Sequence, residues 1–175
     1  MKKLRTIPGF TVLEFLIVLA IIIILVAIAL PALERARTRS YNEKLVTDLK
    51  IIAIGLEQFK QSCGEYPNQM HDNYRCDEKN INSITLNEFI PIINDYNYNS
   101  SATNKPNIVY YPFGDNNFCY GFHIGVMLRD AEEDFYVGDE DFDSSNENKY
   151  SSCTPDNTGY GFNGKQEGLY DIVKQ

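Results

Sequence analysis

The sequence predicts an α+β protein: a long amino-terminal α-helix, apolar in its first half and amphipathic in its second, packed against a small antiparallel β-sheet. Three observations predict it. Residues Phe10–Leu30 form an unbroken run of 21 residues in which Glu14 is the one charge. Tyr41, Leu45, Leu49, Ile52, Leu56 and Phe59 then recur at three- and four-residue steps, the period of one helix face. Further on, "NFCYGFHIGVML" alternates, with Phe118, Tyr120, Phe122, Ile124, Val126 and Leu128 on one face and Cys119, Gly121, His123, Gly125 and Met127 on the other.

At a rise of ~1.5 Å per residue the apolar run covers roughly 31 Å, the thickness of a bilayer's hydrocarbon core. A carboxylate there costs on the order of 2.5–3.5 kcal/mol at the helix centre and less toward an end, where Glu14 lies. One reading leaves Glu14 idle, one turn inside the interface. The flanking residues favour another. A basic leader, "MKKLRTIPG", precedes the run, and the plausible cleavage site lies before the apolar segment, unlike a secretory signal, whose ~7–15-residue apolar core precedes its site. Cutting there removes the charges and keeps the helix. Lys2, Lys3 and Arg5 before the span are matched by Arg35, Arg37, Arg39 and Lys44 after it, so the positive-inside rule does not orient it.

The motif "GFTVLE", with Gly9 ending the leader, Phe10 opening the mature chain and Glu14 four positions on, resembles the type IV pilins and the pseudopilins of type II secretion and DNA-uptake systems. The resemblance continues through "ALP", where Pro31 stands at the place of a family proline. It implies the pilin fold, divided into a leader (1–9), a transmembrane and assembly helix (10–30), an amphipathic helix (31–62) and a connecting loop with a carboxy-terminal sheet (63–175). It implies cleavage after Gly9 by a prepilin peptidase, methylation of Phe10, residence in the inner membrane with the leader in the cytoplasm, and assembly into a periplasmic or extracellular filament. Self-association, an assembly platform and an ATPase are the partners it implies. Phe15, bulkier than the aliphatic residue usual there, is a departure from the pattern.

Cleavage would create a positive α-amino group at Phe10. A carboxylate on a neighbouring subunit can pair with it inside an apolar core, where removing one member of a buried pair costs ~3–5 kcal/mol. Pro31 lacks an N–H and clashes with the preceding turn, so a kink or a locally opened helix is expected there.

Four cysteines, Cys63, Cys76, Cys119 and Cys153, suit disulfides in an oxidising compartment, and of three pairings the spacing favours Cys63–Cys76 and Cys119–Cys153. Zinc is the alternative, although no C-x-x-C is present and His71 and His123 lack ligand spacing. The chain holds 24 acidic and 16 basic residues; without the leader's three basic side chains the net is −11. Such a surface should repel nucleic acid and acidic lipid, and there is no basic aromatic patch to grip DNA.

Thr85 and Glu88 read as a capping box opening a short helix that Pro91 distorts. "NIVYYPF" at 107–113, "EDFYVG" and "GLYDIVK" are strand candidates. Residues 130–148 hold nine acidic side chains and no basic one. Asp139, Asp141 and Asp143 stand at alternate positions there, as in many calcium loops, without the EF-hand glycine or terminal glutamate. Here "GLYDI" resembles the ending of major pseudopilins, and the resemblance implies a structural calcium in the carboxy-terminal loop as one expectation, with a solvated acidic loop as the other; no cofactor is required. Against a catalytic role stand the lack of G-x-S-x-G or H-E-x-x-H. A membrane-anchored extracytoplasmic enzyme or binding protein remains the alternative, although a mere tether needs neither Glu14 nor the leader.

Overall fold

The structure, a computed structural model, describes residues 10–76, 84–100, 105–115, 118–145, 151–153 and 161–175. The leader with Gly9 lies outside these residues, as does Glu147 of the acidic run. The chain divides into two compact units between Arg39 and Ser40, and one helix, α1 (Val12–Cys63), contributes to both.

In the first unit α1 carries the apolar run. Its 18-residue window has mean hydropathy 3.3 and none of it is buried within the chain. Pro31 lies inside the helix, where its missing N–H leaves the Ala27 carbonyl without the usual donor.

In the second unit the stripe of α1 becomes a core face: Leu45, Leu49, Ile52, Leu56 and Phe59 are buried, each contributing roughly 1.5–3 kcal/mol by leaving water. Asn42, Ala53 and Gly55 are buried beside them. Gly55 is there for clearance, because a Cβ would lie 2.5 Å from Ile90 Cγ1 and 2.7 Å from the Phe89 carbonyl oxygen. The connecting segment thus crosses directly over the helix. It carries the short helix α2 (Leu86–Phe89), whose first turn is closed by Glu88 accepting from the Thr85 N–H at 3.0 Å. The helix stops before Pro91, which disfavours helical backbone in the residue preceding it.

The sheet has four strands in sequence order: β1 (Asn97–Tyr98), β2 (Asn107–Asp115), β3 (Phe118–Met127) and β4 (Leu169–Lys174). β2, β3 and β4 are antiparallel, and β1 pairs parallel to β2, so the sheet is mixed where the sequence predicted an antiparallel one. Two-residue β1 sits in an asparagine-rich stretch with no alternating pattern. "GLYDIVK" forms β4. "EDFYVG" does not form a strand; Glu133–Tyr136 make a single 3₁₀ turn, and Gly138 follows at φ 89°, a left-handed backbone that ends any extended run.

Tyr110, Phe122, Ile124, Val126, Tyr170 and Ile172 face the helix-side core. Cys119 joins this core rather than the face of Gly121 and His123, because the register slips at Phe113/Gly114: Phe113 pairs with Gly121, Gly114 with Cys119, and Tyr120 has no opposite residue in the β2 ladder. Cys119 bonds to Cys153, and Cys63 to Cys76 at the end of α1. The bridges close loops of 34 and 13 residues, respectively.

Asn42 ties the helix to the end of β3. Its Nδ2 donates to the Arg129 carbonyl at 2.7 Å and its Oδ1 accepts the Arg129 N–H at 3.1 Å, with no exposure to solvent. Asn42→Ala strands both main-chain groups and is expected to lower stability by roughly 1–3 kcal/mol, read by thermal melting.

Candidate functional site

Two arrangements carry chemistry. The first is the start of α1. Thr11 precedes the first helical residue, and Glu14 is the third residue of the helix. The Thr11 N–H donates to Glu14 Oε2 at 2.9 Å, the Thr11 hydroxyl donates to the same oxygen at 2.7 Å, and the Glu14 N–H donates back to Thr11 Oγ1 at 3.2 Å. This is a capping box: each residue satisfies a main-chain donor that the helix end leaves open. The carboxylate is thereby turned toward the amino-terminal end of the helix, next to exposed Phe10, instead of along its flank. The spacing T-x-x-E could have revealed the role of Thr11; it is the signature that marks Thr85 and Glu88. Pro31 is 17 positions further along the helix and forms no common site with Glu14.

The second lies on the face of the sheet away from α1. Tyr111, Phe113 and Leu169 are buried there under two loop segments that pair with each other. The Ser144 N–H donates to the Phe162 carbonyl at 3.0 Å, the Gly164 N–H to the Phe142 carbonyl at 2.7 Å, and Asp143 bridges Asn163. Gly164 permits the approach, since a Cβ there would lie 2.3 Å from Asp171 Oδ2. Beneath them His123 of β3 and Asp171 of β4 meet at 2.5 Å, Nε2 to Oδ2, and His123 Nδ1 lies 2.8 Å from Ser144 Oγ. All three side chains are fully buried. Phe162 stacks on the imidazole at 3.6 Å between centroids and Phe142 meets it edge-on.

Asp171 also accepts the main-chain N–H groups of Asp141 at 3.0 Å and Phe142 at 3.1 Å. Burial opposes its ionised form, but hydrogen bonds from His123 and Asp139, with the charge of His123 and the Phe142 N–H, more than offset this and hold its pKa at about 2. Burial pushes the His123 pKa below the usual imidazole range, against the hydrogen bond and charge of Asp171. The partners therefore assign the tautomer: Nε2 carries the proton that Asp171 accepts, and Nδ1 accepts from the Ser144 hydroxyl.

Serine, histidine and aspartate in a row invite comparison with a hydrolytic triad. The geometry argues otherwise: the serine sits on Nδ1 and the aspartate on Nε2, the Phe162 N–H donates to Ser144 Oγ at 3.0 Å, and phenylalanine rings cover the imidazole. No carbonyl carbon could approach that hydroxyl. The arrangement is a structural tie.

The structure does not bring Asp139, Asp141 and Asp143 together. Asp139 Oδ1 accepts the Asp171 N–H at 2.8 Å, Asp141 presents its main-chain N–H to Asp171, and Asp143 Oδ1 accepts from the N–H of Ser145 at 2.9 Å and from its hydroxyl. Burial, then the hydrogen bond to Asp171, pushes the Asp139 pKa up to about 7. Among the described residues no group of three or more His, Cys, Asp or Glu side chains is placed to hold a metal ion.

No protein-family model matches the chain, and no solved structure matches it. Over 67 residues it is 34% identical to the type II secretion system core protein G of Vibrio cholerae serotype O1, a stretch that makes up 38% of this chain and 46% of that protein. The chain thus spans about half the length of the curated relative it matches. The apolar amino-terminal helix and this partial homologue fit together with a pilin-like amino-terminal signal.

Proposed function

We propose that this chain is a structural subunit of a pilus-like filament of the type II secretion kind. A prepilin peptidase removes residues 1–9 and methylates Phe10, and the processed chain polymerises through its amino-terminal helix. The observation that carries this reading is an unburied apolar run at the start of α1, long enough to span a bilayer, whose one carboxylate is held at its beginning four residues past Phe10 of a Gly9–Phe10 junction. The partial homology to a secretion-system core protein supports it.

Before assembly the helix crosses the inner membrane, with an assembly platform and an ATPase driving extraction. In the filament, helices stack by a repeated heterologous contact that does not close on itself. The α-amino group of one subunit meets Glu14 of the next, and each buried charge has a partner. Thr11 orients the carboxylate for that encounter, so less rotamer freedom is lost when the pair forms.

The alternative is a membrane-anchored extracytoplasmic enzyme or binding protein. A tether accounts for the apolar run, while the leader and Glu14 remain without a role. Intact mass and amino-terminal sequencing after co-expression with a prepilin peptidase separate the two. A chain beginning at N-methylated Phe10 is expected, and Gly9→Leu is expected to remain at full length. A wild-type chain still beginning at Met1, under conditions that process a known prepilin, would put the tether ahead.

A further inference from the structure

Residues 139–145 form an acidic loop that must be held against a sheet of matching acidity at Asp171. Either a cation or the chain itself can do this. A calcium ion takes six to eight oxygen ligands converging at 2.3–2.6 Å. Here both Asp171 oxygens face N–H donors, and the Asp139 carboxyl, its pKa raised, hydrogen-bonds the Asp171 carboxylate directly. Asp171 Oδ1 receives the Asp141 N–H, and Oδ2 receives both the Phe142 N–H and the His123 imidazole. Asp139 Oδ1 receives the Asp171 N–H, and Asp143 turns outward to Ser145. A cation at Asp171 would meet the positive ends of three N–H dipoles. Among the described residues, the side chains around Asp171 do not fit a divalent cation.

We infer that this carboxy-terminal loop is closed by the chain's own hydrogen-bond donors, His123 and the main-chain N–H groups of Asp141 and Phe142 converging on Asp171, and that the domain folds without a divalent cation. Ser144 completes the closure from above: it holds Nδ1 of the same imidazole while its own main chain pairs with Phe162. Gly125, next but one to His123 on β3, leaves room for Phe162, since a Cβ there would lie 3.0 Å from Phe162 Cε2, and Gly121 on the other side leaves room for Phe113. The imidazole therefore occupies the position between sheet and loop that a bridging ion would need. The inference concerns the folded domain alone and does not depend on filament formation.

The test is thermal melting of the full chain in detergent micelles, in excess EDTA and in millimolar calcium, together with NMR of the His123 ring proton in metal-free buffer. A cation that binds only the folded chain, at a hundredfold excess over its Kd, raises the midpoint by several degrees. The expected result is the same midpoint in both buffers, with a slowly exchanging, strongly downfield Nε2 proton. His123→Ala is expected to lower that midpoint equally in EDTA and in calcium. A calcium-dependent rise that disappears in Asp139→Asn would overturn the inference, as would an Nε2 proton in fast exchange with solvent. Neither outcome reads on cleavage at Gly9 or on polymerisation.

Discussion

Glu14→Ala is expected to leave cleavage after Gly9 intact and to abolish filament formation. The substitution acts on two scales. Within the chain it removes the carboxylate that accepts from the Thr11 N–H and hydroxyl. Loss of a helix-start interaction of this kind costs about 0.5–2 kcal/mol and frays the first turn. Between chains of the proposed filament it would leave a positive α-amino group at Phe10 inside an apolar interface without a partner, a cost of ~3–5 kcal/mol at each contact. At about 1.4 kcal/mol per tenfold, the second effect lowers association by roughly two to three and a half powers of ten. Glu14→Gln separates them, since an amide oxygen still accepts from Thr11 but carries no charge. The alanine and glutamine variants should therefore fail alike if charge pairing dominates. Filaments are counted by electron microscopy and by sedimentation of sheared material. Normal filaments from Glu14→Ala would remove the pairing argument and leave the capping box as the one role of this residue.

The helix was the legible part of this chain because its signals are local. Periodicity identifies the buried stripe Leu45, Leu49, Ile52, Leu56 and Phe59, and the apolar run identifies a helix long enough to cross a membrane. Asn42 and Gly55 escaped that reading because their burial is set by distant segments: Asn42 by Arg129, 87 positions away, and Gly55 by the crossing at Phe89 and Ile90. The alternation of β3 correctly places Phe122, Ile124 and Val126 on the helix side, and fails at Cys119 because a bulge slips the period by one residue. The sequence offers one apolar face for covering; the structure covers both. Gly121, His123 and Gly125 read as an outer face because none is strongly apolar, yet small residues and an imidazole are what a second layer of Phe142 and Phe162 needs beneath it. His123 and Asp171 are 48 positions apart, and no local pattern couples them. The acidic loop shows the converse. Aspartates at alternate positions suggest a ligand set, but in the folded chain Asp141 meets Asp171 through its main-chain N–H.

Asp171→Ala is expected to be the most destabilising single change in the carboxy-terminal domain. It deletes an acceptor for the His123 imidazole and for two main-chain N–H groups, leaving donors at a site closed to water. Each such orphan costs roughly 1–3 kcal/mol, and three donors are left at once, a large fraction of the total stability of a domain. Asp171→Asn keeps one acceptor oxygen and should lose less. The pH dependence carries a sign that identifies the group. The Asp171 pKa, about 2 when folded, lies below the ~3.9 of an unfolded aspartate, so its contribution is present above about pH 4 and is lost as pH falls toward 2. His123, pushed below its ordinary value by burial, adds a loss in the same direction beginning as pH falls below ~6.5. Asp139 works the other way: raised to about 7, it favours the folded chain at low pH, and that contribution fades as pH rises from about 4 to 7. Between pH 4 and 7 the histidine and Asp139 act in opposite directions; below pH 4 the loss at Asp171 sets in. Denaturant melts across this range should therefore show an acid limb in the wild-type chain that flattens in Asp171→Asn. A limb of equal steepness in that variant would assign acid unfolding to other carboxylates.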